Sequence, residues 1–301
     1  MITIMMRKTL MTLVAVLCCT IAVSAQETQE AQEGRNRTYD ITLGKVQYAH
    51  HDEKMSADEA VGKIITGALT GKVSVEATKY EEDVKSAIIK GLSKAHRFRF
   101  NDGLLRVDDV VEEGNIVADA LITNIQAKSD SRSYKDKEGS THVDTWYTGT
   151  VEVILTLKDA KTGEVIANPT VGGWGSGSSH FSTSDKAIFD AIDRLSHHVT
   201  SWLNKYRPLH ANIIEGGAVK KEKQKEVYID LGSSEGAYVG LHMAVYQIKK
   251  IAGREAKSQI GKLRIEAVEG DDISLCKVTS GAKDIKACLE AGDQLRVTSI
   301  D

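Results

Sequence analysis

Residues 227–247 read VYIDLGSSEGAYVGLHMAVYQ. Val227, Ile229 and Leu231 alternate with Tyr228 and Asp230, the period of a strand buried on one face. Gly232, Gly236 and Gly240 then interrupt the pattern, where the backbone needs either positive φ or close approach of another chain segment. Met243 to Tyr246 forms a short apolar second limb. A strand, a glycine-set turn and a strand therefore divide the chain. Upstream, helical and strand patterns mix. Downstream, Lys262–Val268, Ile273–Val278 and Gln294–Thr298 are short strands between Gly-Asp and Asp-Asp turns, and no helical period separates them. That predicts a small β-barrel over residues 227–301.

The upstream part begins with Tyr39, Ile41 and Leu43 in alternation. Gly44 breaks the phase, and Val46 and Tyr48 resume it, a strand with a bulge. Thr78–Ala95 carries Tyr80, Val84, Ala87, Ile88, Leu92 and Ala95 on one helical stripe. Glu81, Glu82 and Asp83 open that helix and Lys85, Lys90 and Lys94 follow, matching its macrodipole. Strands are expected at Arg97–Phe100, Asn115–Lys128 and Trp146–Lys158, the last turning at Asp159–Gly163 into Glu164–Ala167. The polar run Ser129–Asp144 (SDSRSYKDKEGSTHVD) reads as a mobile excursion. Val171–Ser179 (VGGWGSGSS) lacks the spacing of a dinucleotide loop or a nucleophile elbow. It reads as a strand whose small residues let a helix or another chain cross closely. From Asp185, the residues Ile188, Ala191, Ile192, Leu195, Val199, Trp202, Leu203 and Tyr206 form a second long stripe, stopped by Pro208. Ser56–Gly71 adds a capping pair, Ser56 and Glu59, and a glycine-weakened helix that must dock on something. The expected fold class is α+β: an antiparallel-rich sheet with long helices on one face, plus a small C-terminal β-barrel-like domain. The expected domains are 38–214 and 227–301, joined by a charged connection at 215–226 (EGGAVKKEKQKE).

Composition sets the compartment. In 301 residues, 41% apolar and 27% charged content is that of a globular protein, and a formal charge of −3 argues against a general nucleic-acid binder. Arg7 and Lys8, the apolar run Leu10–Val23 and the small residues Val23-Ser24-Ala25 mark residues 1–25 as a signal peptide. Residues 26–37, without apolar periodicity, read as a flexible leader. The lipoprotein alternative would use Cys18 or Cys19, but Leu17 and Cys18 stand where a small residue belongs. Cys276 and Cys288 are left in an oxidising compartment, either as a disulfide or as one buried strand thiol and one partly buried loop thiol.

No reaction is legible. His50-His51-Asp52, His142 with Asp144, and His197 with His198 each fall short of the three or four ligands that a metal needs. Ser176, Ser178, Ser179 and His180 have no acid placed to orient the imidazole. Nothing implies a cofactor, and the basic residues lack the aromatic interleave of a nucleic-acid platform.

Two stretches carry a family resemblance. LTLKDAKTGEVIA, the glycine-rich strand and AIFDAIDRLSHHVTSWL resemble the curli-secretion (CsgG-like) periplasmic domain, as does KYEEDVKSAIIKGLSKAHRFRF. EVYIDLGSSEGAYVGLHMAVYQ, IGKLRIEAVEGDDISLCKV and EAGDQLRV resemble the C-terminal domain of the flagellar assembly protein FlgT. The resemblance implies a non-enzymatic periplasmic assembly or adaptor protein that binds other envelope proteins. Subunit of an outer-membrane secretion channel is the alternative, and a hydrolase the third. Peripheral outer-membrane association and homo-oligomer formation are left open. Against a pore, the run 129–144 reads as charged on both faces, where a membrane hairpin alternates apolar and polar residues.

Overall fold

The computed structural model describes residues 36–49, 72–73, 77–102, 114–174 and 181–300. The readings made above of residues 1–25, of most of the leader, of His50-His51-Asp52, of Ser56–Gly71 and of Ser176–His180 lie outside the described residues.

The first half contains, in chain order, β1 (Tyr39–Tyr48), β2 (Lys72–Val73), α1 (Glu81–Ser93), β3 (Phe98–Phe100), β4 (Ile116–Lys135), β5 (Thr141–Asp159), β6 (Val165–Ala167), β7 (Thr170–Trp174) and α2 (Ser184–Tyr206). β1 runs parallel to both β3 and β4, whereas β4–β5, β5–β6, β5–β7 and β2–β4 are antiparallel. The β1–β4 register shifts between Leu43 and Val46. A Cβ on Gly44 would stand 2.2 Å from Asp119 Oδ1, and the Lys45 N–H released by the bulge donates to that oxygen at 2.8 Å. Lys158 Nζ donates to the other carboxylate oxygen at 2.6 Å. Burial raises the Asp119 pKa, but these donors outweigh it and hold the carboxyl below its ordinary range.

Both helices lie on one face of the sheet. Val84, Ile88 and Leu92 of α1 and Ile188, Leu195, Val199 and Leu203 of α2 share a core with Val151, Val153, Leu155 and Leu157 of β5. The helix starts are tied together: the Tyr80 hydroxyl donates to Asp185 Oδ1 at 2.5 Å and Lys79 Nζ to Oδ2 at 2.9 Å. Thr183 caps α2 by accepting the Lys186 N–H. α2 comes so close to the sheet that a Cβ on Gly173 would lie 1.8 Å from Ala191 O, and one on Gly149 2.1 Å from Ala187 O.

The second half contains β8 (His210–Gly216), β9 (Val219–Lys220), β10 (Lys223–Gln224), β11 (Glu226–Ile229), β12 (His242–Ile251), β13 (Arg254–Val268), β14 (Ser274–Ser280), α3 (Ala282–Glu290) and β15 (Leu295–Ser299). Six strands close a barrel in the order β11–β14–β13–β12–β15–β8. The fold is α+β, and residues 38–301 form one compact unit with two hydrophobic cores.

Three expectations are corrected here. The barrel begins at β8, which pairs with β11 and β15, so residues 210–214 belong to it rather than to the first half. Leu209 is already fully buried in the barrel core, and its N–H donates to Ser299 Oγ at 2.9 Å. Residues 215–226 are consequently no free connection: they hold the end of β8, the β9–β10 hairpin and the start of β11. Third, a helix does lie in the barrel half. α3 turns Ile285 and Cys288 inward, a single i, i+3 pair in nine residues, too short to declare a period. Cys288 thus sits on a helix rather than in a loop.

The organising turn joins β11 to β12. Gly232 is extended, at φ −127, yet a Cβ there would meet the Asp271 carbonyl carbon at 2.2 Å. Gly236 and Gly240 have φ of +92 and +103, the left-handed region that favours glycine. A Cβ on Gly236 would also stand 2.9 Å from His96 O, in the first half of the chain.

Candidate interaction site

β4 and β5 continue well past their neighbours. β7 pairs with β5 only as far as Thr150 opposite Trp174, and Phe181 bridges Tyr147. β2 meets β4 at Ala127 and Lys128. Beyond the Tyr147 bridge the ribbon runs on from Asp130↔Trp146 to Lys135↔Thr141 with no third strand among the described residues. Those six pairs make an arm about 20 Å long. The run 129–144 is therefore regular hairpin, and the expectation of a mobile excursion is corrected. Backbone pairing holds the segment although it has almost no apolar alternation.

Asp136 shapes the tip. Its Oδ1 accepts the N–H groups of Glu138 and Ser140 at 3.0 and 2.9 Å, and its Oδ2 meets His142 Nε2 at 2.7 Å. The imidazole bond, ahead of the backbone donors, holds the Asp136 carboxyl below its ordinary range. His142 also stacks on Tyr134, ring centres 5.5 Å apart. Asp144 joins neither contact, so His142 and Asp144 do not act as a pair.

Register sorts the side chains of the arm. One face continues the phase of buried Val151 and Val153: Ser129, Ser131, Ser133, Thr141, Val143, Thr145 and Tyr147, with Lys135 alone charged near the tip. The other carries Asp130, Arg132 and Asp144 with Tyr134, His142 and Trp146. The reading of charge on both faces is corrected accordingly: charge is concentrated on one. Val143 is 62% and Tyr134 46% exposed. Among the described residues no strand pairs with either edge of the ribbon from Asp130 to Lys135 and from Thr141 to Trp146, which suits strand addition.

The remaining sequence candidates are dispersed. His198 packs edge-on against Trp174, ring centres 5.3 Å apart, and burial, then His197, lowers its pKa. His197 faces a different surface, a cleft against the barrel. Among the described residues no three or more His, Cys, Asp and Glu side chains gather as a metal site would require. Cys276 and Cys288 are free, buried thiols. Burial pushes the Cys276 pKa up to about 12, and burial, then Asp293, raises that of Cys288. Neither is an activated thiolate. Among the described residues no helix is long and apolar enough to cross a membrane.

No family model matches the sequence, and no curated protein matches it. Solved structures give distant likenesses. A PelC dodecamer from Paraburkholderia phytofirmans is 11% identical, covers 55% of this chain and 90% of its own, and has a TM-score of 0.28. A neuraminyllactose-binding hemagglutinin homolog from Helicobacter pylori is 14% identical over 57% and 89%, with a TM-score of 0.29. A lipoprotein from Neisseria meningitidis is 12% identical over 56% and 97%, with a TM-score of 0.20. Scores this low do not establish a shared fold.

Proposed function

We propose that this chain is a non-enzymatic adaptor of the cell envelope, exported to the periplasm, whose β4–β5 arm engages another envelope protein. The observation that carries the proposal is the arm itself. A two-stranded ribbon is marginal alone in water, and this one presents two edges unpaired among the described residues, an aromatic and charged face, and a hydroxyl-rich face whose one charge is Lys135. Such a ribbon is stabilised by a partner that adds a strand or covers a face. The signal peptide supports the compartment. The resemblance of the first half to the curli-secretion domain and of the barrel half to the FlgT C-terminal domain supports assembly work rather than catalysis.

The second reading is a channel subunit whose arms close into a membrane barrel, and the arm favours it by its shape. A lipid-facing surface needs a band of apolar residues. The hydroxyl-rich face offers Ser131, Ser133, Thr141 and Thr145, with Lys135 near the tip, around the lone aliphatic Val143, which favours the adaptor. Fractionation separates the two. On osmotic release without detergent, the adaptor is expected in the soluble periplasmic fraction, with any membrane-bound remainder released by high salt. A chain that stays with the outer membrane through salt and carbonate washes, and leaves only in detergent, would reverse the choice.

A further inference from the structure

A second surface lies where the two halves meet. A cleft of about 470 Å³ is lined by Lys94 and His96 just after α1, by His197, Thr200, Ser201 and Asn204 of α2, and by Tyr238 of the β11–β12 turn. That volume suits a small organic molecule. Among the described residues no carboxylate lines it. The nearest acid on α2, Asp193, is already engaged by Lys90 Nζ at 2.7 Å, although it also feels His197 and Lys94.

The lining is rich in donors without partners. Lys94 Nζ, the His197 ring and the Ser201 hydroxyl make no hydrogen bond or ion pair among the described residues. Asn204 is only 5% exposed. Its Oδ1 accepts the His96 N–H at 3.0 Å, which fixes the amide orientation and leaves Nδ2 as a donor with no partner among the described residues. Thr200 is satisfied internally, its hydroxyl lying 2.9 Å from Gly91 O and 3.0 Å from Ser196 O. At the end of α1, Leu92 O is already taken, accepting the N–H groups of Lys94 and Ala95. The far wall is aromatic, with the Tyr238 and His96 rings 4.8 Å apart between centres.

We infer that this cleft binds a small soluble organic phosphate. Its phosphate group takes the ammonium of Lys94, the imidazole of His197, the Ser201 hydroxyl and the Asn204 amide, and its organic part lies against Tyr238. Four donors, one of them the Lys94 ammonium, suit the several oxygens of a phosphate better than the two of a carboxylate. The cleft is also larger than the oxyanion alone. Because Tyr238 belongs to the barrel half and the donors to the other, an occupant bridges the two.

Calorimetric titration of the full chain with inorganic phosphate and with phenyl phosphate tests this. Both are expected to bind saturably at one site per chain, phenyl phosphate about 3–10-fold tighter through its ring contact. Lys94→Ala combined with His197→Gln should weaken both at least about tenfold. Tyr238→Leu should abolish the preference for phenyl phosphate and leave inorganic phosphate bound. Ser201→Ala, at a half-buried hydroxyl with no hydrogen bond among the described residues, should weaken both several-fold while the melting temperature is unchanged. The inference is overturned by absence of saturable binding, by binding indifferent to Lys94, His197 and Ser201, or by co-sedimentation with phosphatidylglycerol vesicles when phenyl phosphate does not bind.

Discussion

Gly173→Ala is expected to lower the melting temperature of the whole chain by roughly 6–12 °C. The added methyl has nowhere to go. Its Cβ would stand 1.8 Å from the carbonyl oxygen of Ala191 and 2.9 Å from the nitrogen of Leu195, both backbone atoms of α2. A flexible side chain could swing aside, but a helix backbone moves only as a body. α2 carries Ile188, Leu195, Val199 and Leu203 into the core, so lifting it disturbs every contact of its buried stripe. Overpacking of a tight core costs typically 1–3 kcal/mol, and a clash with backbone belongs at about 3 kcal/mol. For a unit of this size each kcal/mol shifts the midpoint by about 2–4 °C. Thr170→Ala, exposed on the same strand, should shift it by no more than about 2 °C. Equal shifts from the two variants would show that α2 does not lie on Gly173.

The turn between β11 and β12 gives a graded series, read by urea unfolding of the full chain. Gly232→Ala is expected to cost about 2–3 kcal/mol, because its Cβ meets the peptide of Asp271 and Asp272 at 2.2 Å. Gly236→Ala combines a φ of +92 with His96 O at 2.9 Å and belongs in the same range, about 2–3 kcal/mol. Gly240→Ala has only its φ of +103 against it, its nearest atom being the flexible Arg264 Nη2 at 3.7 Å, so about 1 kcal/mol is expected. Ser233→Ala is not silent, as its place in the turn alone would suggest. Its hydroxyl lies 3.0 Å from Asp271 Oδ1 and 3.3 Å from Gly270 O, and its loss should cost about 0.5–1 kcal/mol. A series in which Gly240→Ala is the most damaging member would contradict the close approach at Gly232.

The two long helices were legible because burial imposes a period. Ser184–Tyr206 keeps its apolar stripe through the whole run, and α1 differs from the sequence reading by only a few residues at each end. Gly44 announced the register shift because an interrupted alternation has few other causes. The arm was hidden because both its faces meet solvent, so hydrophobic alternation, the main strand signal, is missing between Ser131 and Thr145. Only the pairing register separates its hydroxyl-rich face from its charged one. β8 was hidden because Ile213 and Ile214 stand side by side and Glu215-Gly216 follow, which blurs the alternation of a strand. α3 was hidden because a nine-residue helix with two inward residues has no period to read. The cleft could not be found locally at all: His96, Asn204 and Tyr238 come from three segments and form no motif.

The central claim is that the arm is where a partner binds, and site-specific photocrosslinking in intact cells tests it most directly. A photoreactive phenylalanine analogue is placed at position 134 or 143 on the arm, or at position 251. Ile251, 63% exposed at the β12–β13 turn, serves as an equally accessible control on the barrel. The arm positions are expected to capture one discrete envelope protein other than this chain, in an adduct that the position 251 probe does not form. Adducts only between copies of this chain, or an identical pattern from all three positions, would contradict it.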